Sequence, residues 1–302
     1  MIDDSTCWVK RGEVQPACPL RKSSKLLTRS LSSISALVMP LLLFSPGSVN
    51  AAWQLVWADE FDGTNINAAH WTFDTGNGRG GWGNNELEFY TSRPQNTYVS
   101  NGLLHIVALK ETYGGQDYTS ARLKTKGLFS KTYGRFEFRA KLPQGQGYWP
   151  ALWLMPLASV YGGWAASGEI DVMENKGSAP DTVLGTIHFG GQWPSNTFSH
   201  GPAYTFAADD SVTNFQIYSV EWATNSLKWY VDNQLYETQT SWRSSGGSYP
   251  APFDQPFYII MNLAVGGKFG GNPDATTVFP GEVQVDYVRV YDASASPPVR
   301  PR

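Results

Sequence analysis

Cysteine is nearly absent from this sequence, with only Cys7 and Cys18 among 302 residues. Both precede the point at which we expect the mature chain to begin, so no disulfide is predicted for its folded part. About 250 residues must then be stabilised by the burial of apolar surface, and that length is sufficient for one large domain.

Long apolar runs are also scarce, and the run at residues 31–44 is too short, and too interrupted by proline, for a membrane helix. Basic residues at 21–29 precede it, and Val49 and Ala51 follow it in the small-residue pattern of signal-peptidase sites. We expect residues 1–51 to be a secretory signal peptide with a long n-region. The mature protein would be secreted, extracellular or periplasmic, without membrane insertion. A buried core helix is the alternative interpretation of the run.

Positive charge is in deficit once the signal peptide is removed. The loss of six basic and three acidic residues leaves 17 Lys and Arg against 23 Asp and Glu, a net charge of −6. An acidic protein repels phosphate backbones, so we expect no nucleic acid partner, and sulfated polymers are disfavoured for the same reason. The histidines have no metal-ligand spacing, so we expect no cofactor for catalysis. They are His70, His105, His188 and His200.

Short β-strand patterns recur along the chain, separated by Gly, Pro, Asn and Asp. Residues 134–143 alternate apolar and charged side chains, and residues 226–238 predict a hairpin that turns at Asp232–Asn233. Further strands are predicted at 218–222, 257–265 and 283–291. These patterns predict an all-β jelly-roll β-sandwich of two antiparallel sheets with a concave substrate cleft, in one domain over residues 52–292. Residues 293–302 are a Pro-rich tail.

The segment GEIDVMEN, residues 168–175, holds three acids whose spacing breaks the period of a strand. Glu169 and Asp171 share one face, whereas Glu174 falls on the other. A β-bulge that absorbs Val172 or Met173 restores the parity and aligns all three carboxylates.

Three aligned carboxylates repel one another, so a function is a better explanation than stability. A solvated acidic face is the alternative, but the aromatic segment 147–156 is expected beside them. Paired carboxylates next to aromatic rings suit glycoside hydrolysis, in which one carboxylate attacks the anomeric carbon and the other transfers the proton. Like charge helps to keep that proton on the acid near neutral pH.

The segment resembles the Glu-x-Asp-x-x-Glu signature of glycoside hydrolase family 16, in the bulged form of its bacterial laminarinase-type endo-β-1,3-glucanases. Six further segments resemble bacterial members in the same order, so the resemblance covers nearly the whole mature chain. They are WQLVWADEFDG (53–63), GGWGNNELEFYT (80–91), the long segment 121–156, GTIHFGG (185–191) with IIMNLAVGG (259–267), and VDYVRVYD (285–292).

The resemblance implies a role for each matching residue. Glu169 would be the nucleophile, Glu174 the general acid/base, and Asp171 a hydrogen-bonding residue that tunes the charge of the nucleophile. It also implies six sugar-binding residues, which are Asn84, Arg122, Trp149, Trp153, His188 and Asn262. Some alternatives stay open: His188 as a hydrogen-bonded sheet residue, either tryptophan as a core residue, and Asn85 and Glu86 as residues that only shape a loop.

The resemblance implies one structural calcium ion far from the cleft, held largely by backbone carbonyls at Glu60, Gly102 and Asp286. Oxygen ligands suit calcium, and Asp286 paired with a neighbouring side chain is the alternative. We expect a monomer that cleaves β-1,3-glucan. Cleavage of mixed-linkage β-1,3-1,4-glucan as well is an alternative that stays open. The alternatives are a glucan-binding module on the same fold, or a family 16 hydrolase or transglycosylase for agarose, carrageenan or xyloglucan.

Overall fold

The computed structural model describes residues 53–293, which form 18 strands, one α-helical turn and one short π-helical turn at Gly81–Asn85. The signal peptide and all but the first residue of the Pro-rich tail lie outside the described residues. The strands are β1 (Trp53–Asp59), β2 (Thr72–Asp74), β3 (Glu88–Tyr90), β4 (Thr97–Ser100), β5 (Leu103–Tyr113), β6 (Gln116–Ser120), β7 (Arg122–Lys124), β8 (Gly134–Lys141), β9 (Tyr148–Pro156), β10 (Glu169–Glu174), β11 (Thr182–Gly190), β12 (Asn196–Ser199), β13 (Tyr204–Thr205), β14 (Gln216–Ala223), β15 (Ser226–Val231), β16 (Gln234–Gln239), β17 (Phe257–Val265) and β18 (Gly281–Ala293), and the helical turn is α1 (Gly267–Gly270).

The strands form two sheets that pack face to face. The ten-stranded sheet has the order β16-β15-β14-β8-β18-β5-β6-β3, with β1 beside β18 and β4 beside β5. The eight-stranded sheet has the order β12-β11-β10-β9-β17-β7-β2, with β13 beside β11. Among the described strands only β3 and β6 pair in parallel, so the predicted all-β antiparallel sandwich is confirmed.

Strand β8 shows how the sequence builds the core. Its alternating side chains Phe136, Phe138 and Ala140 are fully buried between the sheets, as the pattern predicts. The opposite face is not simply solvated. Arg135 and Glu137 form a buried ion pair on it, because tyrosines of neighbouring strands cover them and bond to their polar atoms.

The predicted hairpin is also present, since β15 and β16 pair across a two-residue turn. Asp232 and Asn233 both have positive φ angles, 48° and 64°, and this left-handed conformation is the one that a tight hairpin turn requires. No helix within residues 53–293 is long and apolar enough to cross a membrane.

Strand β10 lies inside the eight-stranded sheet, with β9 and β17 on one side and β11 and β12 on the other. Every residue of β17 is buried, so packing on all sides holds the backbone of this part of the sheet in place. Side chains that point away from the core on these strands therefore have well-defined positions.

Candidate active site

A β-bulge interrupts the pairing of β10. Asp171 and Met173 pair with consecutive residues of β9, so Val172 has no partner on that strand. On β11, Gly185 alone faces both Val172 and Met173. The bulge that the five-residue spacing predicts is confirmed, and on the β9 side the extra residue is Val172.

The bulge sorts the side chains of β10 onto two faces. The apolar residues of β10 face the core, and each is at most 2% exposed. They are Ile170, Val172 and Met173. The opposite face takes the three acids together, which are Glu169, Asp171 and Glu174.

These acids line a cavity of about 790 Å³ on the outer face of the eight-stranded sheet. Eight of the nine residues predicted for catalysis and sugar binding line it: Asn84, Arg122, Trp149, Trp153, Glu169, Asp171, Glu174 and Asn262. The ninth, His188, lies beside Asp171. A recess that combines aromatic rings with a few convergent polar groups is typical of a ligand site.

Each outer glutamate accepts a hydrogen bond from a different indole. The Nε1 of Trp149 donates to Oε1 of Glu174 at 3.0 Å, and the Nε1 of Trp164 donates to Oε2 of Glu169 at 2.7 Å. Trp164 is a residue that the sequence analysis missed. It lies in the loop between β9 and β10, where no strand or helix period indicates which side chain reaches the site.

Asp171 and His188 form a charged pair in the middle of the site. Strand β11 sets His188 directly opposite Glu169. Its Nε2 lies 3.2 Å from Oδ2 of Asp171 and 3.8 Å from Oε1 of Glu169. His188 therefore contacts the carboxylates, rather than only the backbone of the sheet.

Burial raises the pKa of both outer glutamates, and the neighbouring charge of Asp171 raises it further. The pKa of Glu169 rises to about 7 and that of Glu174 to about 8. His188 and the two indoles oppose these shifts, because a positive charge and a donated hydrogen bond both favour the carboxylate. Both carboxyls therefore hold a proton to a higher pH than a free glutamate does.

Two opposing effects act on the pKa of the His188 imidazole. Its burial works against a positive charge, but the hydrogen bond to Asp171 and the charges of the three acids outweigh burial and raise its pKa to about 9. His188 is therefore an imidazolium at neutral pH, and it offsets part of the negative charge in the cavity.

Asn262 connects the floor of the cavity to a buried tyrosine. Its Oδ1 accepts from Nε1 of Trp153 at 2.8 Å, and its Nδ2 donates to the hydroxyl of Tyr90 at 3.1 Å. Asn262 is only 7% exposed, so its clearest contribution in this structure is to orient the ring of Trp153.

Arg122 is held between two aromatic rings. Its guanidinium lies 4.6 Å from the ring centre of Trp82 and 4.8 Å from that of Trp153. Its Nε lies 3.1 Å from Oδ2 of Asp74. This stacking keeps one planar cation at the β7 end of the cavity.

The loop before β3 forms one wall of the cavity. Asn84 donates from Nδ2 to Oε1 of Glu86 at 3.2 Å, and the hydroxyl of Tyr90 donates to Oε2 of Glu86. Glu86 shapes the loop, as one interpretation of the sequence had it, and its side chain also lines the cavity.

The sequence profile described as Glycosyl hydrolases family 16 matches residues 83–289, which include all nine residues predicted for catalysis and sugar binding. The chain belongs to glycoside hydrolase family 16. The family and the fold that the sequence predicts are both confirmed.

Relatives within family 16 cover most of this chain. A protein of Niallia circulans named glucan endo-1,3-beta-glucosidase A1 is 47% identical over 260 residues, which are 80% of this chain and 38% of that protein. The chain therefore spans well under half of that relative. A beta-glucanase of Rhodothermus marinus is 41% identical over 90% of this chain and 97% of its own length. The laminarinase catalytic domain of Thermotoga maritima superposes with a TM-score of 0.71 at 41% identity, covering 80% of this chain and 99% of that domain.

The three residues predicted to hold a calcium ion lie in or beside strands of the other sheet. Strand pairing brings Glu60, Gly102 and Asp286 to neighbouring positions around a bulge in β18. The carboxylate of Glu60 bonds to Arg289, and that of Asp286 bonds to Arg139 at 2.5 Å. Arginines thus pair with both carboxylates, which for Asp286 is the alternative that the sequence left open, and calcium stays a prediction.

Proposed function

We propose that this family 16 chain is a retaining endo-β-1,3-glucanase with laminarin as its model substrate. One observation carries the proposal. The bulge in β10 sets Glu169, Asp171 and Glu174 side by side in an aromatic cavity, and a separate indole bonds each outer glutamate. Carboxyl groups with raised pKa values at the centre of a groove are typical of catalytic sites, and a module that only binds glucan does not require them.

In the first step Glu174 acts as the general acid. Its raised pKa keeps the proton on the carboxyl until the proton passes to the glycosidic oxygen. The carboxylate of Glu169 attacks the anomeric carbon, the C1–O bond breaks, and a glycosyl ester forms on Glu169.

In the second step Glu174, now ionised, takes a proton from water. The water oxygen attacks the anomeric carbon from the face that the leaving group has left, and the ester bond to Glu169 breaks. Two inversions restore the β configuration, and both glutamates return to their starting protonation states.

Asp171 and His188 assist the reaction through the effect of their charges on the two glutamates. As an imidazolium, His188 stabilises the ionised form of Glu169 and forms a pair with Asp171. The negative charge of Asp171 raises the pKa of both glutamates. The first step needs one carboxylate and one carboxylic acid, and these opposing charges leave the pKa values of both glutamates in the neutral range.

The extent of the cavity supports internal cleavage of a neutral polymer. Its lining runs from Arg122 on β7 to Asn196 on β12, a width of six strands or ~24 Å at ~4.8 Å per spacing. A groove of this length holds several sugar units, with chain on both sides of the catalytic residues. The Niallia and Thermotoga relatives, by their names, act on β-1,3-glucan or laminarin. We extend that substrate to this chain, and mixed β-1,3-1,4-glucan is the second substrate to test.

Export after signal-peptide removal and a monomeric state are further parts of the proposal. Export rests on the sequence pattern of residues 1–51, and a structural calcium ion is proposed at Glu60, Gly102 and Asp286.

The decisive experiment is product analysis with the full chain on laminarin, lichenan, agarose and carrageenan side by side. We expect mixed laminari-oligosaccharides early in the reaction on laminarin, and β-anomers as first products by NMR. Binding to laminarin without new reducing ends contradicts the enzyme assignment. Cleavage of agarose or carrageenan in place of laminarin contradicts the substrate.

A further inference from the structure

Trp229 joins the two sheets at the catalytic strand. It belongs to β15 of the ten-stranded sheet and is fully buried. Its Nε1 crosses the sandwich and donates to the backbone carbonyl of Asp171 at 2.8 Å. In a regular ladder the strand carbonyls point along the sheet toward neighbouring strands. A carbonyl that accepts from the opposite sheet is therefore turned toward the core.

Asp171 is the last regularly paired residue before the bulge. The peptide whose carbonyl Trp229 holds is thus the one that begins the bulge. The orientation of this peptide determines on which face of the strand the side chain of Val172 lies. It also determines where the side chain of Glu174 again points into the cavity. A bulge without such a partner would leave one core-facing carbonyl unsatisfied, which is unfavourable for a buried polar group.

Gly185 makes room for this contact. It is the residue of β11 that faces both residues of the bulge. A Cβ atom at this position would lie 2.3 Å from Cδ1 and 2.5 Å from Nε1 of Trp229. Any side chain at position 185 would therefore displace the indole from the Asp171 carbonyl.

We propose that Trp229 is a positioning residue for the reaction, which sets the phase of the bulge and hence the spacing of Glu169 and Glu174. It touches no substrate and acts only through the peptide of Asp171, with Gly185 as the space that lets it do so. The inference rests on the proposed function, because its readout is turnover of β-glucan.

The test compares Trp229→Phe with Trp222→Phe in the full chain. Trp222 is a matched control, since it lies in the same sheet, is 2% exposed, and donates its Nε1 to the carbonyl of Phe253 rather than to a residue of β10. Both variants lose one indole bond and similar volume, so we expect similar falls in melting temperature.

Only Trp229→Phe should lower kcat on laminarin, by about 10- to 100-fold with little change in KM, since a small displacement of catalytic groups has that effect. Its pH–kcat profile should also shift, because the spacing of the two glutamates sets their mutual influence. A general loss of stability leaves the profile of the folded fraction unchanged. Equal kcat and equal profiles for the two variants overturn the proposal, whereas an inactive wild-type chain overturns the proposed function instead.

Gly185→Ala is a second test of the proposal, and it does not depend on whether the Trp229→Phe variant folds. It keeps every hydrogen-bonding group and only pushes the indole away from Asp171. The same loss of kcat and the same shifted profile support the proposal, and wild-type turnover by folded Gly185→Ala overturns it.

Discussion

The indole N–H of Trp164 donates to Oε2 of Glu169 at 2.7 Å, from a loop outside the catalytic sheet. This bond favours the ionised form of the proposed nucleophile and so lowers its pKa against the effect of burial. Trp149 has the same relationship to Glu174 from within the sheet. Each catalytic carboxyl is thus adjusted by its own indole, one on a loop and one on β9.

Replacing Trp164 by Phe should shift the acidic limb of the pH–kcat/KM profile upward. Loss of the bond raises the pKa of Glu169, so a smaller fraction is ionised at pH 6. A hydrogen bond to a charged group contributes about 1.5–3 kcal/mol, so activity at that pH should fall by about tenfold or more. Trp193→Phe is the control, because Trp193 lines the same cavity but is 69% exposed. An unshifted limb in Trp164→Phe contradicts the role given to this bond.

Replacing His188 by Gln should move both limbs of the profile to higher pH. The imidazolium lowers the pKa of Glu169 and of Glu174, so a neutral side chain lets both rise. The profile of kcat/KM on laminarin measures this directly. His200→Gln is the matched control, since its ring is exposed and bonds only to a neighbouring carbonyl. An unshifted profile would mean that His188 carries no positive charge over the pH range of the measurement.

The central strand of the site could be predicted from sequence because its information is local. The spacing of Glu169, Asp171 and Glu174 conflicts with a regular strand and requires a bulge, and the structure contains it. The alternation of 134–143 and the apolar run of 257–265 likewise depend on a period of two. Patterns of this kind need no knowledge of distant residues.

Other features depend on contacts between distant residues and leave no period in the sequence. Trp164 reaches Glu169 through an irregular loop, and Trp229 reaches Asp171 from the other sheet. Alternation predicts which face Arg135 occupies but not that tyrosines from neighbouring strands cover it. Asn262 matches a sugar contact by resemblance, yet its polar atoms bond to Trp153 and Tyr90.

Glu88→Gln should stabilise the protein at alkaline pH. Burial, and then the charge of Glu86, raise the pKa of Glu88 well above its usual value. Its contribution to stability is therefore fully present below the unfolded pKa and is lost as pH rises through the folded pKa. Each unit of that interval is worth about 1.4 kcal/mol. A neutral amide, which can still accept the N–H of Val265, removes this dependence.

The measurement is melting temperature from pH 4 to 9. Glu88→Gln should match the wild type at low pH and exceed it at high pH. Asp117→Asn, at an exposed position, serves as the control for the loss of one charge. A Glu88→Gln variant that is less stable than the wild type at pH 8 would show that the carboxylate is needed in the fold.

Calcium should raise the melting temperature if the carbonyl set at Glu60, Gly102 and Asp286 binds it. A ligand that binds only the folded state stabilises it by mass action, by about 2.7 kcal/mol at a concentration of 100 times Kd. We expect a higher melting temperature in calcium than in EDTA, with magnesium as the control because it demands smaller, more regular geometry. Identical values in calcium and EDTA contradict the site.

Azide rescue should separate the two glutamate roles by the stereochemistry of the product. In Glu169→Ala, azide replaces the nucleophile and attacks an activated β-laminaribioside from the opposite face, so the product should be an α-glycosyl azide. In Glu174→Ala, the glycosyl ester on Glu169 still forms, and azide attacks it to give a β-glycosyl azide. Without azide, loss of the acid/base should reduce kcat on laminarin by about 10²–10⁴-fold. Asp254→Ala, on a loop residue that bonds Tyr161, should keep wild-type turnover and give no azide product above background. Because the two expected anomers are opposite, exchanged products would reverse the roles of Glu169 and Glu174, and a β-azide from both variants would contradict a double-displacement mechanism.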